Sequence, residues 1–449
     1  MTEDRQQRSA RAKTLQDERR FIEAEELYRQ ILGDNPALGE VRRMIGDDAF
    51  RCRDFPSAVA LFTLAVDADP GDASAAVSLG HALRMVNRPL DAEVMFRRAL
   101  GLTPGNAGGY NDLALALKEQ GRVGEAVAAC RRAVAIDPDY IKGHVHLAEC
   151  LLLNGEMKEG FAEYEWRSRL PEIEMPGSRL EQPRWDGGPI AGKTLLVIGE
   201  QGFGDTIQFC RYASLLKPFG PRVILAVQGA LKSLCRSLDG VDQAAAGGET
   251  LPPFDLHVPL LSLPHLLATV LETIPAPTRY LKVSPDKIDY WRRELSDKPG
   301  LRVGIAWQGT SRGAADRGRS IPLTHFQTLR GVRLLSLQKG YGSEQLEGSV
   351  IEDIGSRCHD FEDTAAVMEN LDLVIASDTA VAHLAGALGR PAWVALMRCP
   401  DWRWLMDRRD SPWYPSMRLF RQDSAGDWEQ VFREIAHALN AVTPPGYGR

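Results

Sequence analysis

The sequence contains no long hydrophobic run. Its longest apolar stretches, such as Leu195–Ile198 and Ala392–Met397, have the length of a buried strand, whereas a membrane-spanning helix needs about 20 apolar residues. The first 20 residues are rich in Glu, Asp, Arg and Gln and have no apolar core. We therefore expect neither a membrane span nor a secretory signal, and we expect a cytoplasmic protein.

Metal-binding patterns and an excess of positive charge are also absent. The seven cysteines form no CxxC pair and no metal-ligand spacing, which is typical of a cytosolic protein with reduced thiols. The 54 Lys and Arg against 60 Asp and Glu give a formal net charge of -6, so nucleic acid is not expected as the main partner. With 449 residues the chain is too long for one ordinary domain, and we expect two or three.

A 34-residue period runs through the first third of the chain. Prolines recur with this period, and each is preceded by an alanine at twelve residues and usually by an aromatic residue at eight. The prolines are Pro36, Pro70, Pro104 and Pro138, the alanines Ala24, Ala58, Ala92 and Ala126, and the aromatics Tyr28, Phe62 and Phe96, with Cys130 in the fourth unit. Small residues let two helices of a hairpin approach closely, the aromatic side chain fills the gap, and proline ends the second helix. The pattern predicts a solenoid of helical hairpins.

This pattern resembles the tetratricopeptide repeat (TPR) family, with four repeats to about residue 138 and a degenerate fifth to about residue 172. Such arrays usually hold a partner protein on their concave face; the alternatives are that this one dimerises the chain or shields another surface. The long array of the eukaryotic O-GlcNAc transferases carries Asn at the sixth position of many repeats. Here that position holds Met44, Ser78, Asp112 and His146, so an asparagine ladder is not expected.

A proline- and glycine-rich connector follows the repeats and contains a match to the P-loop pattern at residues 187–194. A P-loop follows a strand and opens a helix. Here no strand pattern precedes Gly187, Pro189 interrupts the loop, and the buried-strand pattern Leu195–Ile198 follows. We therefore interpret Gly192-Lys193 as the turn into the first strand and expect no nucleotide hydrolysis.

From Thr194 onward, strand patterns alternate with helix patterns. Such alternation predicts doubly wound parallel sheets, which bind ligands at the carboxyl ends of their strands. The predicted strands are 194–198, 222–227, 301–307, 332–337, 371–376 and 392–396, and the predicted helices are 206–217, 323–329, 363–370, 379–388 and 427–440. We place the solenoid at 1–172, a linker at 173–192, a first Rossmann-like half at 193–290 and a second, donor-binding half at 291–449.

Three segments of the α/β part are candidates for a site. After the strand ending at Ala376, Asp378 or Thr379 is expected to cap a helix whose first N–H groups suit a phosphate; the alternative is an ordinary turn with a good cap. After the strand at 301–307, Arg312, Arg317 and Arg319 lie within eight residues and suit anion binding.

The alternative for that arginine-rich segment is a solvated loop. Lys339, at the end of the next strand, could join the arginines. The third segment is Gly202-Phe-Gly204-Asp205, in which glycine allows a ligand close to the backbone. Asp205 is either a helix cap or a general base, and the residue pattern alone favours the cap.

Residues 190–440 resemble glycosyltransferases of the GT-B fold, above all the bacterial ADP-heptose heptosyltransferase group, and more distantly the O-GlcNAc transferases. Gly204-Asp205 matches the group's first turn, which implies that Asp205 deprotonates the acceptor hydroxyl. Arg319 before Ile-Pro322 matches a basic donor-binding position, with Arg for Lys. The helix start from Asp378 and Thr379 through Ala380 to His383 matches the donor-contacting motif, with Ala380 in place of Gly.

The resemblance also implies a fold of two Rossmann-like halves, an inverting mechanism without a metal, and a nucleotide sugar as substrate with no cofactor. Together with the repeats and Pro400-Asp-Trp-Arg-Trp404, it extends to repeat-bearing bacterial glycosyltransferases, some of which are associated with flagellin glycosylation. It implies sugar transfer to a Ser or Thr hydroxyl of a protein held by the repeats. A heptosyltransferase acting on a saccharide and a non-catalytic adaptor are the alternatives.

Four aromatic residues near the C-terminus have two interpretations. Trp402, Trp404, Trp413 and Tyr414 either line a sugar or base pocket or belong to the core, and the sequence does not distinguish the two.

Overall fold

The computed structural model describes residues 2–33, 37–173, 175, 177–309 and 318–442. The chain divides into two compact units, Met1–Asn154 and Gly155–Arg449. The domain bounds derived from the sequence stay a prediction. Among the described helices, none combines the length and the hydropathy required to cross a membrane.

The first unit is built from helices alone in its described residues. They are α1 (Thr2–Asp17), α2 (Phe21–Leu32), α3 (Ala37–Arg51), α4 (Phe55–Ala68), α5 (Ala73–Met85), α6 (Pro89–Leu102), α7 (Ala107–Glu119), α8 (Val123–Ile136) and α9 (Ile141–Leu153). Phe62 and Phe96 are fully buried. A Cβ on Gly80 would lie 2.5 Å from Cε1 of Phe96, so the predicted pairing of a small residue with an aromatic ring is confirmed. Pro36 lies outside the described residues.

The second unit begins with a short helical segment that is tied into its α/β part. This segment comprises α10 (Met157–Tyr164) and the 3₁₀ turn Glu165–Arg169. Arg167 is buried and donates to both carboxylate oxygens of Glu200, at 2.8 and 3.1 Å, and to Oγ of Ser262 at 3.0 Å. Because Glu200 directly follows the first strand region, this buried ion pair fixes the segment to the first sheet.

The first sheet is parallel, with the strand order β3-β2-β1-β4. Its strands are β1 (Thr194–Ile198), β2 (Arg222–Val227), β3 (Gln243–Ala246) and β4 (Leu256–Pro259), and its helices are α11 (Phe203–Phe209), α12 (Lys232–Cys235) and α13 (Leu263–Leu266). A 3₁₀ stretch, Cys210–Phe219, continues α11. The residue after Lys193 begins a strand and not a helix, so the interpretation of Gly192-Lys193 as a turn into β1 is confirmed.

The second sheet is also parallel, with the order β10-β9-β8-β5-β6-β7. Its strands are β5 (Arg302–Ala306), β6 (Arg333–Ser336), β7 (Glu352–Asp353), β8 (Leu373–Ser377), β9 (Ala392–Leu396) and β10 (Met417–Arg421). Its helices are α14 (Pro285–Glu294), α15 (Leu323–Phe326), α16 (Phe361–Glu369), α17 (Ala380–Ala387) and α18 (Trp428–Val442). Every residue of β8 and β9 is buried, as in parallel sheets covered on both faces. The predicted class, a helical solenoid followed by an α/β part with two parallel sheets, is confirmed.

Candidate functional site

A cleft of about 740 Å³ opens in the second unit, at the carboxyl ends of strands from both sheets. Residues 201–205 and Gln228, which follow β1 and β2, line it from the first sheet. The segments that follow β5, β6, β8 and β9 line it from the second sheet. This is the position that parallel doubly wound sheets predict for a ligand.

Asp205 stands in the first turn of α11 and has a partner on each carboxylate oxygen. Its Oδ2 accepts a 2.8 Å hydrogen bond from the backbone N–H of Gly202. Gly202 is the N-cap residue of α11 and Asp205 is the third residue of the helix, so Asp205 is not the helix cap that the residue pattern favoured. Its Oδ1 accepts from Nη2 of Arg403. Burial raises the pKa of Asp205, while the Arg403 charge and the Gly202 N–H oppose that rise. Asp205 also lines the cleft, so its hydrogen bond with Gly202 does not exclude a role as base.

Gly204 is required by the packing of α11 against α17. A Cβ on Gly204 would lie 2.9 Å from Cδ2 of His383 and 3.6 Å from Cα of Ala380. Gly204 and Gly202 both line the cleft, as the sequence predicted for residues that let a ligand approach the backbone. The absence of a side chain at 204 therefore also brings the first turn of α11 onto the start of α17.

The start of α17 differs from the prediction that Asp378 or Thr379 caps it. Thr379 occupies the N-cap position, but no side-chain hydrogen bond caps the helix. The Thr379 hydroxyl donates instead to the carbonyl of Ser377 at 3.3 Å. The expectation of a side-chain cap is therefore wrong. Ala380 and Val381, the first two residues of the helix, line the cleft, and no side-chain oxygen caps this end of the helix. Such an end attracts anions.

Asp378 and His383 are buried beside this turn. Burial, together with the negative charge of Asp401, raises the pKa of Asp378 to about 6. Burial, together with the positive charge of Arg403, lowers the pKa of His383 to about 3. The His383 ring stacks on Trp404 with centroids 5.2 Å apart, and its Nδ1 lies 2.9 Å from the Tyr414 hydroxyl. His383 is thus a packed, neutral imidazole at the wall of the cleft.

Arg319 lies next to the uncapped helix start. A Cβ on Gly309 would be 3.1 Å from Nη2 of Arg319 and 3.7 Å from Cγ2 of Thr379, so these two side chains flank the same glycine. The Nε of Arg319 is buried and has no hydrogen-bond partner in the described part of the chain. The structure brings Arg319 and the Thr379 turn together, as the sequence predicted. Arg317 and Arg312 lie outside the described residues.

Lys339 lines the cleft, but its ammonium group is bound to the backbone. It donates to the carbonyl oxygens of Cys358 and His359. A role of Lys339 in holding phosphates stays a prediction. Its neighbour Gln338 was not expected to matter, yet its Oε1 accepts from the N–H groups of Trp307 and Gln308, at 3.0 and 3.1 Å. Gln338 thereby fixes the backbone of Trp307 and Gln308, directly after β5.

Sequence reasoning also missed Arg403 and Asp401. The Nη2 atom of Arg403 binds the carboxylate of Asp205. Its Nη1 atom binds Oδ1 of Asp401 at 2.8 Å. The segment drew attention only for its tryptophans. A signal was nevertheless there, because two opposite charges stand between bulky apolar residues in Pro400-Asp-Trp-Arg-Trp404.

The four aromatic residues of this region belong to the core. Trp404, Trp413 and Tyr414 are at most 1 % exposed and Trp402 is 4 % exposed, and none of them lines the cleft. Of the two interpretations that the sequence left open, the packing one is confirmed.

Comparison with known proteins identifies the repeats in the first part of the chain. A family model described as tetratricopeptide repeat matches residues 9–73, 43–107 and 77–141, which confirms the predicted repeats there. Protein FlbA of Caulobacter vibrioides is 28% identical over 316 residues, which cover 64% of this chain and 52% of that protein. The chain thus spans about half the length of this curated relative.

Among solved structures, E. coli ADP-heptose LPS heptosyltransferase II matches with a TM-score of 0.41 at 15% identity. The match covers 55% of this chain and 98% of that one. MamA from Desulfovibrio magneticus RS-1 matches with a TM-score of 0.30 at 19% identity, covering 36% of this chain and 92% of the other.

Proposed function

We propose that the second unit is an inverting, metal-independent glycosyltransferase, and that it moves a sugar from a nucleotide-activated donor to a Ser or Thr hydroxyl of a protein recruited by the repeats. One observation carries the proposal. A carboxylate from the first sheet, Asp205, and an anion-attracting group from the second sheet, Arg319 with the Thr379 turn, line the same cleft.

On the donor side, the negative charge of the nucleoside diphosphate grows as its bond to the sugar breaks. Arg319 and the N–H groups at the start of α17 offer a guanidinium and a helix dipole to that charge. One charge-assisted hydrogen bond contributes about 1.5–3 kcal/mol. Several such bonds are therefore needed to stabilise the departing nucleoside diphosphate. Groups held in place before the reaction stabilise the transition state most.

On the acceptor side, Asp205 removes the proton of the attacking hydroxyl, a step that contributes about 10²–10⁴-fold to the rate. In an inverting transfer the hydroxyl attacks from the face opposite the leaving group. Asp205 and Arg319 come from different sheets, which suits a sugar held between them. The repeats would raise the local concentration of the acceptor protein.

Co-expression of the chain with candidate acceptor proteins, flagellin first, tests the proposal. We expect the acceptor to gain the mass of one or more sugars, located on Ser or Thr by peptide mass spectrometry. If a free saccharide accepts the sugar and no protein does, the activity is that of the alternative, a heptosyltransferase acting on a saccharide. Calorimetry that detects no nucleotide-sugar or nucleoside diphosphate binding would leave the adaptor alternative.

Asp205→Asn is the variant that tests the base. Asparagine keeps an oxygen that can accept from the Gly202 N–H, so the fold of α11 should persist, but it cannot take a proton. We expect kcat to fall by about 10²-fold or more, with donor affinity retained by calorimetry. Asp239→Asn, at an exposed carboxylate outside the cleft, is the matched control and should retain the wild-type rate. A wild-type rate for Asp205→Asn would refute the role.

A further inference from the structure

The ion pair between Asp205 and Arg403 joins the two sheets, and both residues line the cleft. Asp205 belongs to α11 of the first sheet, and Arg403 lies between β9 and β10 of the second. A second carboxylate, Asp401, binds the other terminal nitrogen of the same guanidinium and also lines the cleft. Arg403 therefore bridges two carboxylates through two different nitrogens.

We propose that Arg403 is a positioning residue for the transfer reaction, which fixes the Asp205 carboxylate for proton removal and is itself held by Asp401. This inference rests on the proposed function, because it assigns a role beside the base named there.

The packing around Arg403 makes it a rigid support. Its side chain is 9 % exposed, and its guanidinium lies 4.3 Å from the centroid of the Trp402 ring. Its backbone N–H donates to Asp401 at 3.0 Å. With Oδ1 of Asp205 bound to Arg403 and Oδ2 bound to the Gly202 N–H, both torsions of the Asp205 side chain are fixed. A base held in this way loses little freedom when the acceptor arrives.

Arg403 and Asp401 shift the pKa of Asp205 in opposite directions. Burial is the largest cause of its raised pKa; Arg403 opposes that rise, whereas Asp401 and Glu200 add to it. Glu200 is paired with Arg167. Tyr164 and His383 are further titratable neighbours: burial raises the pKa of Tyr164 and lowers that of His383, so both are neutral near pH 7. Asp378 also lines the cleft, and its pKa of about 6 is raised by burial and by Asp401 and lowered by Arg403. Loss of Arg403 should therefore raise the pKa of Asp205, and loss of the Asp401 charge should lower it.

The test uses the full chain with the acceptor protein that co-expression identifies, and it measures release of nucleoside diphosphate as a function of pH while the sugar passes to the acceptor hydroxyl. The donor is whichever member of a panel of UDP-N-acetylglucosamine, UDP-glucose, ADP-glucose and GDP-mannose the wild type turns over. For Arg403→Gln we expect kcat to fall by about 10–100-fold with an unchanged donor KM. A base must be deprotonated to act, so its rate is lost as pH falls through its pKa. The acid limb of Arg403→Gln should accordingly move to higher pH, and that of Asp401→Asn to lower pH.

Two further variants keep the inference falsifiable. Arg403→Lys keeps the charge but offers one nitrogen in place of two, so we expect a lower kcat with the acid limb near its wild-type position. If Arg403→Gln does not fold, the kcat and the donor KM of Arg403→Lys test the positioning role of Arg403. Arg408→Gln, which removes a surface pair with Asp410 outside the cleft, should match the wild type.

Opposite outcomes overturn the inference. A rise in donor KM with unchanged kcat in Arg403→Lys would make Arg403 a donor-binding group. Acid limbs that stay in place in both Arg403→Gln and Asp401→Asn would remove its influence on Asp205. An active wild type with either result refutes this inference alone, whereas a wild type that releases no nucleoside diphosphate from any donor refutes the proposed function.

Discussion

At the residue scale, the Nε of Arg403 also lacks a partner among the described residues, but its two terminal nitrogens bind Asp205 and Asp401. Arg319 has no such ion pair within the described part of the chain. Its Nε is buried without a hydrogen-bond partner among the described residues, and its Nη2 borders Gly309 beside the Thr379 turn. An orphaned buried donor costs free energy unless a ligand satisfies it. An anionic donor substrate would supply that acceptor.

Replacement of Arg319 by alanine should therefore weaken binding of the nucleoside diphosphate. Loss of a charge-assisted bond of about 1.5–3 kcal/mol corresponds to roughly 10–150-fold in Kd. Titration calorimetry with UDP, ADP and GDP measures the effect. Arg330→Ala, at an exposed arginine outside the cleft, should bind like the wild type. Equal Kd values for the wild type and Arg319→Ala would exclude Arg319 from the anion site.

The second prediction at this scale concerns His383 and pH. Its folded pKa of about 3 lies below its usual value of 6.5, so the unfolded chain binds its proton first as pH falls. The stability that the neutral imidazole contributes is complete above about pH 6.5 and is lost progressively towards pH 3. We expect His383→Gln to destabilise the protein at neutral pH, and the difference from wild type to shrink near pH 5. Urea unfolding at the two pH values measures it; a constant difference would contradict the burial of a neutral ring.

At the scale of elements, the close contact of α11 with α17 depends on Gly204. The added methyl group of Gly204→Ala would meet the buried His383 ring at 2.9 Å, and such overpacking costs about 1–3 kcal/mol. We expect a lower melting temperature and reduced activity. Gly124→Ala is the control, because this exposed glycine of α8 has open space around its Cβ position and alanine favours helices by about 0.5–1 kcal/mol. Unchanged stability of Gly204→Ala would mean that the two helices can separate without cost.

Whether an element could be predicted from the sequence depended on the composition of that element. β1, β2 and β9 were predicted to the residue, because each is a run of apolar residues between turn signals. β3 was missed because Gln-Ala-Ala-Ala carries no β-branched or aromatic residue. α11 begins at Phe203 and not at Thr206, because Asp205 binds back to Gly202 and so adds a turn to the helix. The ion pair of Asp205 with Arg403 spans 198 residues, and no local pattern encodes such a contact.

At the scale of the whole molecule, the buried pair of Arg167 with Glu200 decides where the repeats can be removed. A deletion to residue 170 would take Arg167 away and leave Glu200, whose side chain is 3 % exposed, without its cation. Leaving a buried charge unpaired costs about 3–5 kcal/mol. A deletion of residues 1–154 retains the pair and follows the division between the compact units.

We therefore expect residues 155–449 to fold and to bind nucleoside diphosphate, but to lose transfer to the protein acceptor. Circular dichroism, titration calorimetry and acceptor mass spectrometry measure the three outcomes. Residues 171–449 should show a lower melting temperature than 155–449. Undiminished transfer to protein by 155–449 would refute recruitment by the repeats.

The contact between Asp205 and Arg403 has a consequence for any hinge motion of the cleft. The two side chains reside on opposite walls, so an outward swing of one wall would pull the carboxylate from its support and admit water to both. The Asp205 carboxylate would then lose its fixed position whenever the cleft is open wide enough for substrates to exchange. Such a safeguard would protect an activated sugar from wasteful hydrolysis until the walls close again.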